Sequence, residues 1–435
     1  MTDKEPPRRS RKKAGLIAIL VLASHALVGC DVINPGPVVD EFLDAKEAHQ
    51  ALVNGAASRV STAVGSVAVT TAMTAREVFP TGETSVCCDV LVQAGVLSPN
   101  GDLDGGPDRP LIWISAHQAR WIAEDAARRF EALGPEVSAS VLSEAYLYGG
   151  YANRLMGENF CQAVFDGGPA EPSVRHFERA RDQFTKAIAK GGSAVVTAAY
   201  AGRASVHLWM GNVDAALADA EKVPFDFVFQ VRADPSDWVT RNAVYNANAN
   251  APWRAYTGWK TWFGDYYLET GDPRVAHGTD ARFPFGNASL QGYGPVPWTF
   301  QLKYPGYASP FDLSTGREMA LVKAEALLVK AQWQPAMELI NRLRATVISN
   351  TTRQPLAPWT ANSLAQAWTF LKRERGIELW LEGRRMGDIR RWEDGGTLGV
   401  VDWPSFESVT PLFSQHQRDD CIPIPDIERD TNTNL

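Results

Sequence analysis

The sequence predicts a mainly α-helical fold: helix hairpins stacked into a scaffold, broken once by a loop-rich, irregular insertion carrying minor β structure. Three observations predict it. Apolar and small residues recur at steps of three and four over long stretches, as on one face of a helix. A four-then-three spacing of such residues appears in three separate places. One segment, residues 224–316, loses that periodicity and becomes rich in Asn, Gly, Pro and aromatic side chains. A long irregular stretch inside a compact chain is usually functional.

The first thirteen residues carry Lys4, Arg8, Arg9, Arg11, Lys12 and Lys13, and Ala14 to Leu27 is apolar except for Ser24 and His25. That run is shorter than the roughly 20 residues a spanning helix needs. A basic start, an apolar core and small residues read as a secretory signal. Arg8-Arg9 is followed by Ser10-Arg11-Lys12, without the apolar residues that twin-arginine export prefers, so general secretion is expected. The end of the run, Leu27-Val28-Gly29-Cys30, resembles the lipobox of bacterial lipoproteins. The resemblance implies cleavage before Cys30, lipid on that cysteine and lasting membrane attachment, since each buried methylene contributes about 0.8 kcal/mol. Residues 1–29 are therefore read as signal peptide, 30–40 as a lipidated tether and 41–435 as one helical domain.

Loss of the signal removes six basic and two acidic residues and moves the net charge from −7 to −11. Such a surface does not suit a nucleic-acid binder, which must neutralise phosphates. Four cysteines follow the anchor: Cys87, Cys88, Cys161 and Cys421. Export permits disulfides, and four cysteines allow three pairings. Adjacent cysteines seldom bond to each other, so Cys87 and Cys88 are expected to reach Cys161 and Cys421. No CxxC pair or His spacing points to zinc. No metal site or cofactor is expected, although a structural calcium ion is compatible with the sequence.

Phe42 to Val64 reads as a helix, residues 96–110 as a Gly/Pro/Asp-rich surface loop, and Trp113 to Leu133 as a second helix. In the latter, Trp113, Ala116, Ala119, Ala123, Ala126 and Phe130 fall on one side. Ser143 to Gly157 is a helix with small residues at Ala145, Gly149, Gly150 and Ala152. The recurring spacing is Ala180, Phe184, Ala187; then Ala216, Ala220, Val223; then Ala336, Ile340, Leu343. Small residues let antiparallel helices approach closely, and stacked hairpins share a continuous core. The pattern resembles tetratricopeptide hairpins, which implies a right-handed superhelical scaffold with repeats at about 143–223 and 317–392. Between them, the insertion opens with a strand pattern, Phe225 to Val231. It also holds Trp253, Tyr256, Trp259, Trp262, Tyr266, Tyr267, Tyr293, Trp298, Tyr304 and Tyr307.

The C-terminal third carries Ala324-Glu325-Ala326, then Ile340-Asn341-Arg342-Leu343-Arg344, then a block from Arg373 to Trp392 (RERGIELWLEGRRMGDIRRW), and closes on Ile422-Pro423-Ile424-Pro425 and Glu428. This order of motifs resembles the SusD/RagB family of outer-membrane nutrient-binding lipoproteins, as does the Gly271-Asp272-Pro273-Arg274 turn. The resemblance implies an outward-facing, lipid-anchored protein of the outer membrane. Its ligand would be an oligosaccharide or, as in some members, a peptide. It would close as a lid over a SusC-like TonB-dependent transporter. Stacking on sugar rings needs aromatic platforms, so Trp253, Trp259, Tyr293 and Trp298 are the expected ligand contacts, with Glu83 and Asp89 as polar partners.

Glu374, Glu378 and Glu382 are four apart and would form one helical stripe. With Arg375, Arg384, Arg385 and Asp388 close by, they read as a structural ion network. A glycosidase acid pair would instead flank a sugar and have its pKa values pushed apart. No Gly-rich phosphate loop, HExxH or GxSxG is present. No catalytic residue is therefore expected. Trp380 and Trp392 are expected in the core. The competing functional classes are a surface glycan hydrolase and a helical-repeat scaffold that grips only a protein partner.

Overall fold

The computed structural model describes residues 40–81, 112–290, 294–403 and 419–435. Cys30, Glu83, Cys87, Cys88, Asp89, the loop 96–110 and Tyr293 lie outside the described residues. The chain falls into two units, residues 1–45 and 46–435. In the first, Asp40–Leu43 is a short helix, α1. All elements below belong to the second.

The fold is mainly helical, as the periodicity predicted. α2 (His49–Thr74) runs ten residues past the predicted end, and its start is set by a separate turn of 3₁₀ helix at Lys46–Ala48. Its second half, rich in Ala, Ser, Thr and Gly, is buried on nearly every side, which stabilises a helix that propensity alone would not. The crowding is visible at Gly65, where a Cβ would stand 3.2 Å from the Phe311 ring. α3 (Ile112–Leu133) buries all six residues of the predicted stripe, Trp113 to Phe130. α4 (Ala139–Asn159) is capped by Ser138, whose side chain accepts the Val141 N–H.

α5 (Val174–Lys190) buries Phe177, Ala180, Phe184 and Ala187, and α6 (Ser193–Trp209) follows it. The small residues here make room for rings. A Cβ at Gly150 would lie 2.6 Å from Phe184, one at Gly202 2.3 Å from the same ring, and one at Gly157 2.8 Å from Phe177. Each phenylalanine therefore seats in a notch on its neighbours, which fixes the helix register. α7 (Val213–Ala220) completes this hairpin.

α8 (Trp262–Thr270) lies within the insertion, and α9 (Gly316–Val329) and α10 (Trp333–Ala345) form the downstream hairpin. Ala201, Ala204 and Leu208 of α6, Ala216 and Ala220 of α7, and Met319 and Val322 of α9 share a small core of their own. The two repeat regions are thus neighbours in space, and the chain between them is an excursion. Its base is closed by an antiparallel ladder in which Val228–Val231 pairs with Phe311–Thr315. The first strand is shorter than the predicted Phe225 to Val231. One pairing joins Tyr256–Thr257 of the excursion to Phe79–Pro80 after α2, and inside the excursion His277–Gly278 pairs with Phe300–Gln301 and Phe285–Leu290 with Gly294–Pro297.

α11 (Leu364–Glu378), α12 (Arg385–Asp394) and α13 (Asp426–Thr431) finish the chain. Cys161 is bonded to Cys421, their Cα atoms 5.0 Å apart. This corrects the expectation that both would be reached by Cys87 and Cys88. The reason is the backbone: Phe160 bridges Ile422 in parallel. The Cys161 N–H donates to the Ile422 carbonyl at 2.9 Å and the Ile422 N–H to the Asn159 carbonyl at 2.7 Å. Those bonds set the two adjacent cysteines side by side.

Candidate functional site

The C-terminal block forms the floor of the insertion, and its charges are paired from several elements. Gly271 ends α8 in the left-handed region, φ 67°. A side chain there would collide with Thr351 and Ser349, since its Cβ would fall 2.5 Å from the Thr351 hydroxyl oxygen. Asp272 then caps the next turn by accepting the Arg274 N–H. The Arg274 guanidinium is thereby aimed inward. It donates to Asp272 at 2.7 Å, to Glu374 at 2.6 Å and to Glu378 at 2.8 Å. Arg317 binds Glu378 from the other side at 2.6 Å, and Arg344 donates to Glu374 and to the Tyr266 hydroxyl.

The pairing continues along the block. Arg375 donates to Asp388 at 2.6 Å, and Arg391 joins Asp388 to Glu325. Arg384 bridges Glu158 and Glu318. Trp392 is buried and donates its indole N–H to Glu325. Arg385 donates to the backbone carbonyls of Ala75 and Asp402. Burial alone would raise the Glu378 pKa, but Arg274 and then Arg317 outweigh it and hold that carboxyl at about 2. Asp388 is likewise lowered, with Arg375 overcoming burial. Carboxylates so held are poor proton donors at neutral pH.

Glu382 does not share the stripe of Glu374 and Glu378. α11 ends at Glu378, and the chain turns through Leu381 at φ 60° and Gly383 at φ 71°. Glu382 instead meets Lys303 of the insertion at 2.6 Å, and the same ammonium donates to the Trp380 carbonyl at 2.8 Å. Burial would lower the Lys303 pKa, but Glu382 outweighs burial and raises it; burial in turn raises Glu382 to about 8, and Lys303 only partly opposes that rise. Trp380 is fully buried. The block therefore works as a plinth to which Arg274 and Lys303 pin the insertion.

The predicted platforms occupy different settings. Trp298 is only 3% exposed, and its indole N–H donates to the Asn248 carbonyl at 3.0 Å. It packs on Phe300 inside the insertion, so it offers no face for stacking and the expectation for it is corrected. Trp259 is half-buried beside Thr257, whose hydroxyl accepts its amide N–H. Trp253 is half-buried and meets Trp238 edge to face at 6.0 Å. Trp238, absent from the predicted set, is 42% exposed. The Arg241 guanidinium lies 3.4 Å from the Trp238 ring centre and 4.6 Å from that of Tyr307. Asn250 donates to the Tyr307 hydroxyl at 2.7 Å, and Tyr245 packs edge-on against Tyr307. These side chains form one aromatic patch carrying hydrogen-bonding groups. Trp238 was missed because it precedes the aromatic run that began at Trp253.

Among the described residues, no three His, Cys, Asp or Glu side chains are grouped to hold a metal ion. No helix among them is long and apolar enough to cross a membrane.

Residues 318–435 match the model of the SusD family. No curated protein matches the chain. Solved structures of similar fold include a SusD superfamily protein from Bacteroides thetaiotaomicron, with TM-score 0.65 and 15% identity over 90% of this chain and 98% of that one. Another, from Bacteroides vulgatus, has TM-score 0.64 and 15% identity over 89% and 97%. Surface glycan-binding protein A from Bacteroides uniformis has TM-score 0.61 and 13% identity over 90% and 99%. The model that matches residues 318–435 is that of the family the C-terminal motifs resemble.

Proposed function

We propose, for a chain whose residues 318–435 match the SusD family model and whose fold resembles that of SusD superfamily proteins, that it is a lipid-anchored surface receptor for a nutrient glycan. On this reading it sits on the outer face of the outer membrane and covers a SusC-like TonB-dependent transporter. The observation that carries the ligand reading is the patch of Trp238, Trp253, Arg241 and Tyr307 on the pinned insertion. Exposed indole gives a flat apolar face for a pyranose ring, and nearby polar groups orient its hydroxyls. A rigid base reduces the ordering cost of binding. The kinship of fold with a protein named for surface glycan binding supports the same class of ligand. The lowered carboxyls of Glu378 and Asp388, held ionised by arginines, favour a binding protein over a glycan hydrolase that would use them as acids.

A glycan array probed with the purified protein should identify a bound oligosaccharide. The double variant Trp238→Ala/Trp253→Ala should weaken it at least about tenfold, the equivalent of ~1.4 kcal/mol. Equal binding by the double variant would move the ligand away from the patch, and turnover of the glycan would make the protein an enzyme. Cys30→Ser should leave the protein in the soluble fraction after cell lysis. Full retention in membranes would remove the lipid anchor from the reading.

A further inference from the structure

We propose a second saccharide site, a groove along α3 that takes a neutral pyranose unit and is independent of the aromatic patch on the insertion. The groove has a volume of about 520 Å³, inside the range of roughly 300–1,000 Å³ typical of small-molecule sites. It is lined by His117, Gln118 and Trp121 of α3, Arg59 of α2, Asp166 of the turn after α4, and Glu428 of α13, among others. His117, Gln118 and Trp121 stand at i, i+1 and i+4, so the helix presents them along one side.

Trp121 is 52% exposed, a large cost for an indole with nothing on it. Trp113 and Arg120 of the same helix, which also line the groove, are buried. The polar groups around it are held in place from behind. Arg120 is fixed by Glu124 at 2.7 Å and by Asp166 at 2.8 Å, while the Asp166 side chain stays 58% exposed. The Trp113 indole N–H donates to Glu428 at 3.1 Å, and Asn432 donates to the other oxygen of that carboxylate. The His117 ring packs on Trp113 at 4.4 Å. Burial, and then Arg120, push its pKa down to about 3, so it is a neutral imidazole. His117 Nε2 and Arg120 Nε are buried polar atoms without a hydrogen-bond partner.

The chemistry selects the ligand. Two cations, Arg59 and Arg120, stand against two anions, Asp166 and Glu428, so a charged ligand gains no net attraction. A pyranose has an apolar face to lay on Trp121 and hydroxyls that can donate to Asp166 and Glu428 and bond with Gln118. Fixed carboxylates and one planar ring are the polar and apolar halves of such a site.

The test uses titration calorimetry on the full chain with maltoheptaose, xylohexaose and mannohexaose. The background is Trp238→Ala/Trp253→Ala, which removes the patch. At least one sugar should still bind there, and adding Trp121→Ala should weaken it about tenfold or more. Asp166→Asn, which keeps the side chain's shape, should weaken the same sugar. No binding of any of the three in that background, or unchanged affinity on adding Trp121→Ala, overturns the second site. Neither outcome touches the insertion patch, whose own test is the loss caused by Trp238→Ala/Trp253→Ala in the otherwise native chain.

Discussion

Arg274→Met should be the most damaging single substitution in the insertion, lowering stability by roughly 3–5 kcal/mol, the usual consequence of removing one partner of a buried ion pair. The methionine keeps the apolar stem of the side chain but leaves Asp272, Glu374 and Glu378 without their shared cation. Glu374 and Asp272 are fully buried, so water cannot replace the lost charge. Arg274→Lys should fall between, because an ammonium cannot fork to three carboxylates as a guanidinium does. Urea denaturation measures both. A loss no larger than that of a surface substitution would show that Arg317 and Arg344 hold the network unaided. The pH dependence gives a second check. Glu378 is lowered from 4.5 to about 2, so its pairing stabilises the fold fully above pH 4.5, and that contribution is lost as the pH falls toward 2. The gap between native protein and Arg274→Met should therefore be widest near neutral pH and shrink in acid.

The sequence showed the helices because their burial is local: each buried stripe, such as Trp113 to Phe130, repeats at the helical period. It showed the C-terminal ion network as a composition but not as a set of pairs. Arg274 stands a hundred residues before Glu374, and nothing in either motif names the other. Glu382 was placed on the wrong stripe because spacing by four was read past Glu378, where the helix ends, and through Leu381, whose φ is left-handed. The strand pairs of the insertion are mostly two to six residues long, too short to carry an alternating signal. Aromatic content located the insertion but could not separate the buried Trp298 from the exposed Trp238, since tryptophan serves both roles. The disulfide followed a bridge between Phe160 and Ile422, a long-range pairing that cysteine spacing does not encode.

Glu77→Gln should flatten the pH dependence of stability between about pH 4.5 and 7, an effect of about 3 kcal/mol across that window. Glu77 follows Arg76, which turns the chain at φ 56° beyond the end of α2. It is fully buried. One carboxyl oxygen accepts the Leu381 N–H at 2.9 Å, and the other has no hydrogen-bond partner. Burial raises its pKa from 4.5 to about 7, and the Leu381 N–H and the charges of Arg385 and Lys303 only partly oppose that rise. The folded state therefore holds a proton that the unfolded chain has released. The stability tied to that proton is complete below pH 4.5, declines as the pH rises and is gone above 7, where both states are ionised. Glutamine has nearly the same shape and can still accept the Leu381 N–H, but it carries no titrating proton. Stability measured by urea unfolding from pH 4 to 8 should thus fall less steeply in Glu77→Gln than in the native protein. Parallel curves would mean that Arg385 and Lys303 already keep Glu77 ionised. Glu77 also receives the Trp380 indole N–H on its backbone carbonyl, at the turn where Lys303 ties the insertion to the plinth. A proton at this position acts on the joint that holds the aromatic patch, so glycan affinity should vary with pH in the native protein through the same window and lose that variation in Glu77→Gln.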